Sequence, residues 1–116
     1  MEGRNEISIN LKTKNKIVCA EHVENHGGDK HTWIILISHI KEETYYDGTK
    51  HLFLYRHVSS FYRNLMEHIS LSPHNWGSID DYRFYEATEE EKRVIKNIIK
   101  RNGFKYIKAL NKLVKR

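Results

Sequence analysis

The sequence predicts an α+β fold, a small antiparallel β-sheet of four to five strands with a C-terminal amphipathic helix packed on one face. Three observations predict it. Short β-branched apolar runs recur between turn signals in the first two thirds of the chain. A capped, amphipathic helical pattern follows over residues 89–101. The 116 residues suffice for one domain and leave no room for two. Within residues 1–116 the expected division is a β-rich body over about 7–86 and a basic C-terminal helix and tail over about 88–116.

Ile7, Ile9 and Leu11 alternate with polar residues, the period of a half-buried strand. Lys16 to Val23, with Ile17, Val18, Cys19 and Val23 apolar, reads as a second strand. His26-Gly27-Gly28-Asp29 is a turn, because glycine reaches positive φ without steric penalty. Trp33-Ile34-Ile35-Leu36-Ile37 is short and β-branched, which favours a strand buried on both faces over a helix. Glu43 to Tyr55 has hairpin form, with Asp47-Gly48 supplying the two positive-φ positions of a type I′ turn. These four strands would run as an antiparallel meander.

The middle of the chain is less patterned. Val58 to Ser70 reads as a short helix or as irregular packing, Ser72-Pro73-His74-Asn75 as a break, and Trp76-Gly77 as part of a loop. Tyr82 to Tyr85 reads as one more strand. The helix then starts at Thr88, an N-cap whose capping box is completed by Glu91. Three glutamates at its start and Lys100-Arg101 at its end match the helix dipole, and Asn102-Gly103 ends it. At 100° per residue, Val94, Ile95, Ile98 and Ile99 form an apolar stripe. Lys92, Arg93, Lys96, Lys100 and Arg101 lie opposite, leaving a basic ridge in water. In the tail, Phe104, Ile107, Leu110, Leu113 and Val114 fit a second short helix; the alternative is an extended segment over the sheet edge.

Composition removes several classes. Hydrophobic residues at 39% are too many for a disordered chain, and no apolar run is long enough to span a bilayer. MEGRNEISINLK lacks the layout of a signal peptide, and Cys19, the single cysteine, cannot form an intrachain disulfide. A reducing cytoplasm, with no membrane contact, is the expected setting. The net charge of +5 is unevenly placed: residues 89–116 carry ten basic and three acidic residues, the rest ten and twelve. A segment charged in this way attracts polyanions, whether RNA, DNA or an acidic protein face. Eight histidines would add positive charge below about pH 6.5.

Catalytic and metal-binding patterns are weak. Arg63-Asn64-Leu65-Met66-Glu67-His68 matches the R-N-x-x-x-H pattern of HEPN ribonucleases, but those are all-helical, and seven arginines with eight histidines produce such spacing by chance. Cys19, His22, His26 and His31 have the short spacing of zinc ligands. On a strand, however, Cys19 and His22 point to opposite faces, which makes Cys19 a small core residue. Asp80-Asp81, and His39 with Glu42 or Glu43, form no recognised acid–base set. The expectation is therefore a protein without catalytic residues, metal or cofactor.

Binding features are stronger. Trp33 and Phe53 are expected in the core, and Tyr45, Tyr46, Tyr55, Tyr62 and Tyr85 partly exposed. Aromatics beside cations, as in Tyr55-Arg56-His57 and Phe61-Tyr62-Arg63, suit stacking on unpaired bases. The expected contact set is Lys92, Arg93, Lys96, Lys100, Arg101, Lys105, Lys108, Tyr55, Tyr62 and Arg63.

Ser38-His39-Ile40 after Trp33, and the run Tyr82-Arg83-Phe84-Tyr85-Glu86-Ala87-Thr88-Glu89-Glu90-Glu91-Lys92, resemble small phage and prophage accessory proteins of Bacteroides-like bacteria. In that group a small β-rich body leads into a Y-x-x-A-T-E-E-E-K segment, whose first position is Phe84 here, then an amphipathic helix and a glycine, here Gly103. The likeness covers the last third of the chain and Trp33 to Ile40; the Arg63 to Trp76 region departs from it. The resemblance implies an anti-defence inhibitor of the anti-CRISPR type, with a type VI-B RNA-guided ribonuclease, its guide RNA, or both as partner in the host cytoplasm. A general RNA- or DNA-binding accessory protein is the alternative, and an Arg63/His68 ribonuclease a third reading.

Overall fold

A computed structural model of the chain describes residues 4–23, 32–61 and 66–116. They form β1 (Glu6–Ile7), β2 (Lys14–His22), β3 (Thr32–Thr44), β4 (Lys50–Phe61), β5 (Glu67–Ser78), β6 (Tyr82–Glu86), α1 (Glu89–Arg101), β7 (Phe104–Ile107) and β8 (Lys112–Lys115). The first six strands make one sheet in the order β1-β6-β2-β3-β4-β5, antiparallel at every pair; β7 and β8 make a separate hairpin. The class is α+β, with more strands than the sequence predicts.

The sheet curls. Trp76 of β5 stacks on Tyr82 of β6, ring centroids 4.9 Å apart, although β4, β3 and β2 lie between the two strands. In a flat sheet four strand steps would separate them by about 19 Å. The sheet therefore rolls over one apolar cluster, built from Ile9, Val18, Ala20, Ile35, Ile37, Ile40, Leu54 and Phe84. A second cluster joins Ile34, Leu36 and Val58 to Ile95, Ile98 and Ile99 of α1 and Leu113 of β8. Neighbouring β3 residues thus serve different clusters, which explains why Trp33 to Ile37 reads as a continuous apolar run.

Four expectations are corrected. The first strand is shorter than Ile7–Leu11, because Asn10 turns the chain: its carbonyl accepts from Thr13 N at 2.9 Å and its side chain from Lys12 N at 2.9 Å. Such local side-chain bonding competes with strand pairing. The chain then pairs at the sheet edge with β6 rather than with β2, so the meander starts only at β2. Secondly, the β3–β4 turn is not type I′. Gly48 N donates to Tyr45 O at 2.9 Å and only Gly48 has positive φ (+85°), giving a three-residue loop closed by a glycine.

Thirdly, Val58–Phe61 continues β4, and Trp76-Gly77 lies in β5. The break signals at Ser72-Pro73 fall in a bulge, where four β5 residues between Ile69 and His74 face the single His57 of β4. Lastly, the tail is a hairpin, not a helix. Gly103 (φ +81°) redirects the chain out of α1 and Asn111 (φ +48°) turns it again between β7 and β8. Period-two alternation then buries Leu113 and half-buries Phe104 and Tyr106 while Lys105 and Lys112 stay exposed.

Candidate functional site

Between α1, β2 and the β7–β8 hairpin lies a cleft of about 630 Å³. Its lining carries seven cationic residues, Lys16, Lys92, Lys96, Lys100, Lys105, Lys108 and Arg116, against one carboxylate, Glu86. Ile17, Leu36, Ile99 and Tyr106 supply apolar surface, and Asn15 a carboxamide. Helical geometry explains the lysines: 92, 96 and 100 are spaced four apart and share one flank of α1.

The start of α1 is held by the predicted capping box. Glu91 N donates to Thr88 Oγ1 at 3.1 Å and Thr88 N to Glu91 Oε1 at 2.9 Å. Arg4 adds a forked pair onto the same carboxylate, at 3.0 Å and 2.5 Å. Burial alone would raise the Glu91 carboxyl, but the Arg4 and Thr88 contacts outweigh it and hold the group below its ordinary value.

The hairpin wall is fixed by paired bulges. Ser38 on β3 and His57 on β4 are the extra residues where the β3–β4 register shifts. Both are buried and both meet Asn111: its Nδ2 donates to the carbonyl and hydroxyl of Ser38, each at 3.0 Å, and its carbonyl lies 3.3 Å from His57 Nε2. The Tyr106 hydroxyl sits between Asn111 and Asn15. Its one proton can go to Asn111 Oδ1, at 2.6 Å, or to Asn15 Oδ1, and with the Asn111 amino group committed to Ser38 it is the Asn111 Oδ1 that faces the hydroxyl. Burial pushes the Tyr106 phenol up to about 12, so it stays protonated.

Not all the cleft cations are equally available. Lys16 pairs with Glu86 at 3.0 Å and Lys92 with Glu89 at 3.3 Å. Lys96, Lys100, Lys105 and Lys108 are exposed and have no carboxylate partner among the described residues. Arg116 likewise has no carboxylate partner among the described residues, its Nε donating to Phe104 O at 3.0 Å. Five such cations around one concave surface concentrate a positive potential and attract an anion with several charges.

The single ridge read from the sequence is divided. Lys92, Lys96, Lys100, Lys105 and Lys108 meet at the cleft; Arg93 and Arg101 do not line it. Arg101 turns to β5 and pairs with Glu67, beside a shallow depression formed with Ser60, Val94 and Asn97. Tyr55 lies on β4, stacked on His39 at 4.8 Å and 7°, away from the cleft lining. Tyr62 and Arg63 lie outside the described residues, as do His26 and His31. Among the expected exposed aromatics Tyr45 and Tyr46 are exposed, whereas Tyr85 is buried. Phe53, expected in the core, is half-buried. Asn15, Lys16, Tyr106 and Arg116 were not anticipated as site residues. The aromatic–cation alternation Phe104-Lys105-Tyr106 pointed to one of them; nothing in the sequence signals the left-handed turn at Asn15 (φ +55°).

Other candidate chemistry finds little support. His68 lies on β5, in strand pairing with Ser59, rather than on the helix its ribonuclease pattern requires. Cys19 is buried, and burial above all pushes its thiol up to about 11, so a thiolate nucleophile is disfavoured. No group of three or more metal-ligating side chains occurs among the described residues, and no helix among them is long and apolar enough to cross a membrane. No family model, curated protein or solved structure matches the chain.

Proposed function

We propose that this chain is a non-catalytic RNA-binding inhibitor of phage origin, which occupies the guide RNA of an RNA-guided nuclease in the host cytoplasm. The observation that carries the binding part is the cleft, with four unpaired lysines on two walls and an apolar floor. The reading takes α1 as seated on one face of the sheet through Ile95, Ile98 and Ile99, so that its 92-96-100 flank faces the hairpin. Phosphates spaced along a strand match such an arrangement, and neutralising each one releases counterions. The inhibitor setting rests on the resemblance of the Tyr82–Lys92 and Trp33–Ile40 segments to phage accessory proteins.

The cleft also favours a second reading, a general nucleic-acid-binding accessory protein. Four of its five cations without a carboxylate partner among the described residues are lysines, point charges that grip a backbone without the forked geometry arginine uses to read guanine; the fifth, Arg116, spends its Nε on the Phe104 carbonyl. Two measurements separate the readings. Charge reversal at Lys96 and Lys105 should weaken binding of a labelled single-stranded RNA by at least tenfold, while reversal at Arg93 and Arg101 leaves it within about twofold. Equal loss in both pairs would remove the cleft from the account. A tagged-protein pull-down from a CRISPR-bearing host, with and without nuclease, then addresses the target: one enriched effector supports the inhibitor, and bulk nucleic acid alone supports the accessory protein.

A further inference from the structure

Beyond the cleft, β3 and β4 continue as an arm, flanked by β5 as far as Phe53 opposite Ser78 and two-stranded from there to the turn. β2 pairs with β3 only as far as Lys14 opposite His39, whereas β3 and β4 stay paired to Thr44 opposite Lys50. One side of the arm turns Ile40 and Leu54 into the first apolar cluster, with Leu52 packed against it. Strand alternation then places His39, Lys41 and Glu43 on the opposite side, together with Tyr55, Phe53 and His51, which face them in register. Ring contacts agree with that placement: His39 stacks on Tyr55 at 4.8 Å, Tyr45 on His51 at 4.3 Å, and Tyr45 reaches Phe53 at 6.3 Å. None of these five rings is fully buried.

The row joins the cleft. Tyr106 of the cleft wall meets the His57 ring edge-on at 5.7 Å, and His57 is two residues from Tyr55 on β4. Ser38, gripped by Asn111, bonds His39 Nδ1 at 2.9 Å. Tyr106 and the row are thus linked beneath the surface through the buried His57, and the accessible row runs from Tyr55 through Phe53 to the Tyr45–His51 pair. Successive side chains on one face of a strand are about 6.7 Å apart. That is twice the ~3.4 Å base step of a duplex strand, so only an unstacked strand can place successive bases on successive rings.

We propose that this row is a base-stacking platform for a single strand whose phosphates lie in the adjoining cleft, so that the ligand is single-stranded rather than duplex. The proposal rests on the RNA-binding reading of the cleft and adds what that reading lacks, a reason for bases to matter. Lys41, opposite Phe53, supplies a further cation along the row; Glu43, opposite His51, and Asp47, joined to His51 through Thr49, place carboxylates at its far end. Burial first, then electrostatic repulsion from His57 and Lys41, hold His39 below its ordinary value, which favours its uncharged ring.

The test uses the whole chain and three fluorescein-labelled probes of equal length: a 12-nucleotide oligouridylate, its abasic counterpart and the same strand in a duplex. Binding is followed by anisotropy. The oligouridylate should bind at least tenfold more tightly than the abasic strand, and more tightly than the duplex. Y55A, or Y45A together with H51A at the exposed end, should weaken the oligouridylate about tenfold and leave the abasic strand unchanged. Equal binding of abasic and base-bearing strands overturns the platform while the cleft reading stands, and this comparison needs no variant to fold. A preference for duplex also overturns it. Failure of all three probes to bind at low salt overturns the platform and the cleft together.

Discussion

Asn111 shows how one residue can position a site it does not line. Its left-handed backbone (φ +48°) turns the hairpin, its amino group holds Ser38, and its side-chain carbonyl faces the Tyr106 hydroxyl. Asn111→Ala removes these bonds and strains the turn, and should cost about 2–3 kcal/mol in denaturant unfolding. Asn111→Gly loses the same bonds but relieves the backbone, so its cost should be smaller; equal costs would mean that the left-handed backbone adds no strain in the alanine variant. Glu91 gives a pH prediction of the same local kind. Its carboxyl is held below the ordinary 4.5 in the folded chain, so its contribution is fully present above that pH and is lost as pH falls through the depressed folded value. Glu91→Gln should flatten the acid limb of a stability–pH profile below about pH 4.5, and an unchanged limb would contradict the Arg4–Glu91 pairing. The Glu91 cap was legible in the sequence because its spacing is local. Asn111 was not legible in this way, since two of its partners, Ser38 and His57, lie far off on β3 and β4.

Among the elements, α1 is the one that local rules specify completely: cap, dipole charges, apolar stripe and stop all agree, and the structure places it at Glu89–Arg101. Ile98 is essentially fully buried in the second cluster, so Ile98→Ala should cost about 2–5 kcal/mol and loosen the cleft wall with it. A cost under 1 kcal/mol would mean that α1 is not held by its stripe. The tail is ambiguous in the sequence because Phe104, Ile107, Leu110 and Leu113 satisfy a helical period while Phe104, Tyr106, Leu113 and Lys115 also suit an extended hairpin. Two positive-φ turns, at Gly103 and Asn111, resolve the choice, and asparagine rarely announces that conformation. β5 was hidden for a related reason: Pro73 normally argues against a strand, but here it falls in a bulge on an edge strand.

At the scale of the whole molecule, charge and shape become one feature. The sequence placed the basic excess in the last quarter of the chain, but only the fold divides α1 into two flanks. One faces the hairpin and forms the cleft; the other carries Arg101 to Glu67. The contact set was thus half legible: helical spacing found Lys92, Lys96 and Lys100, while tertiary packing added Lys16, Arg116 and Tyr106. If phosphates occupy the cleft, affinity for single-stranded RNA should fall with salt at a slope near −0.7 per phosphate neutralised, and Lys96→Gln should reduce that slope by roughly one contact. The most direct test is an amide-resolved NMR titration of the chain with a short oligouridylate. The account predicts shift changes concentrated at Lys96, Lys100, Lys105, Tyr106, Lys108 and Asn15, joined by Tyr55, Phe53 and His51 where bases stack on the arm, with little at Arg93 and Arg101. Changes confined to the Arg101–Glu67 flank, or spread evenly over the surface, would contradict it.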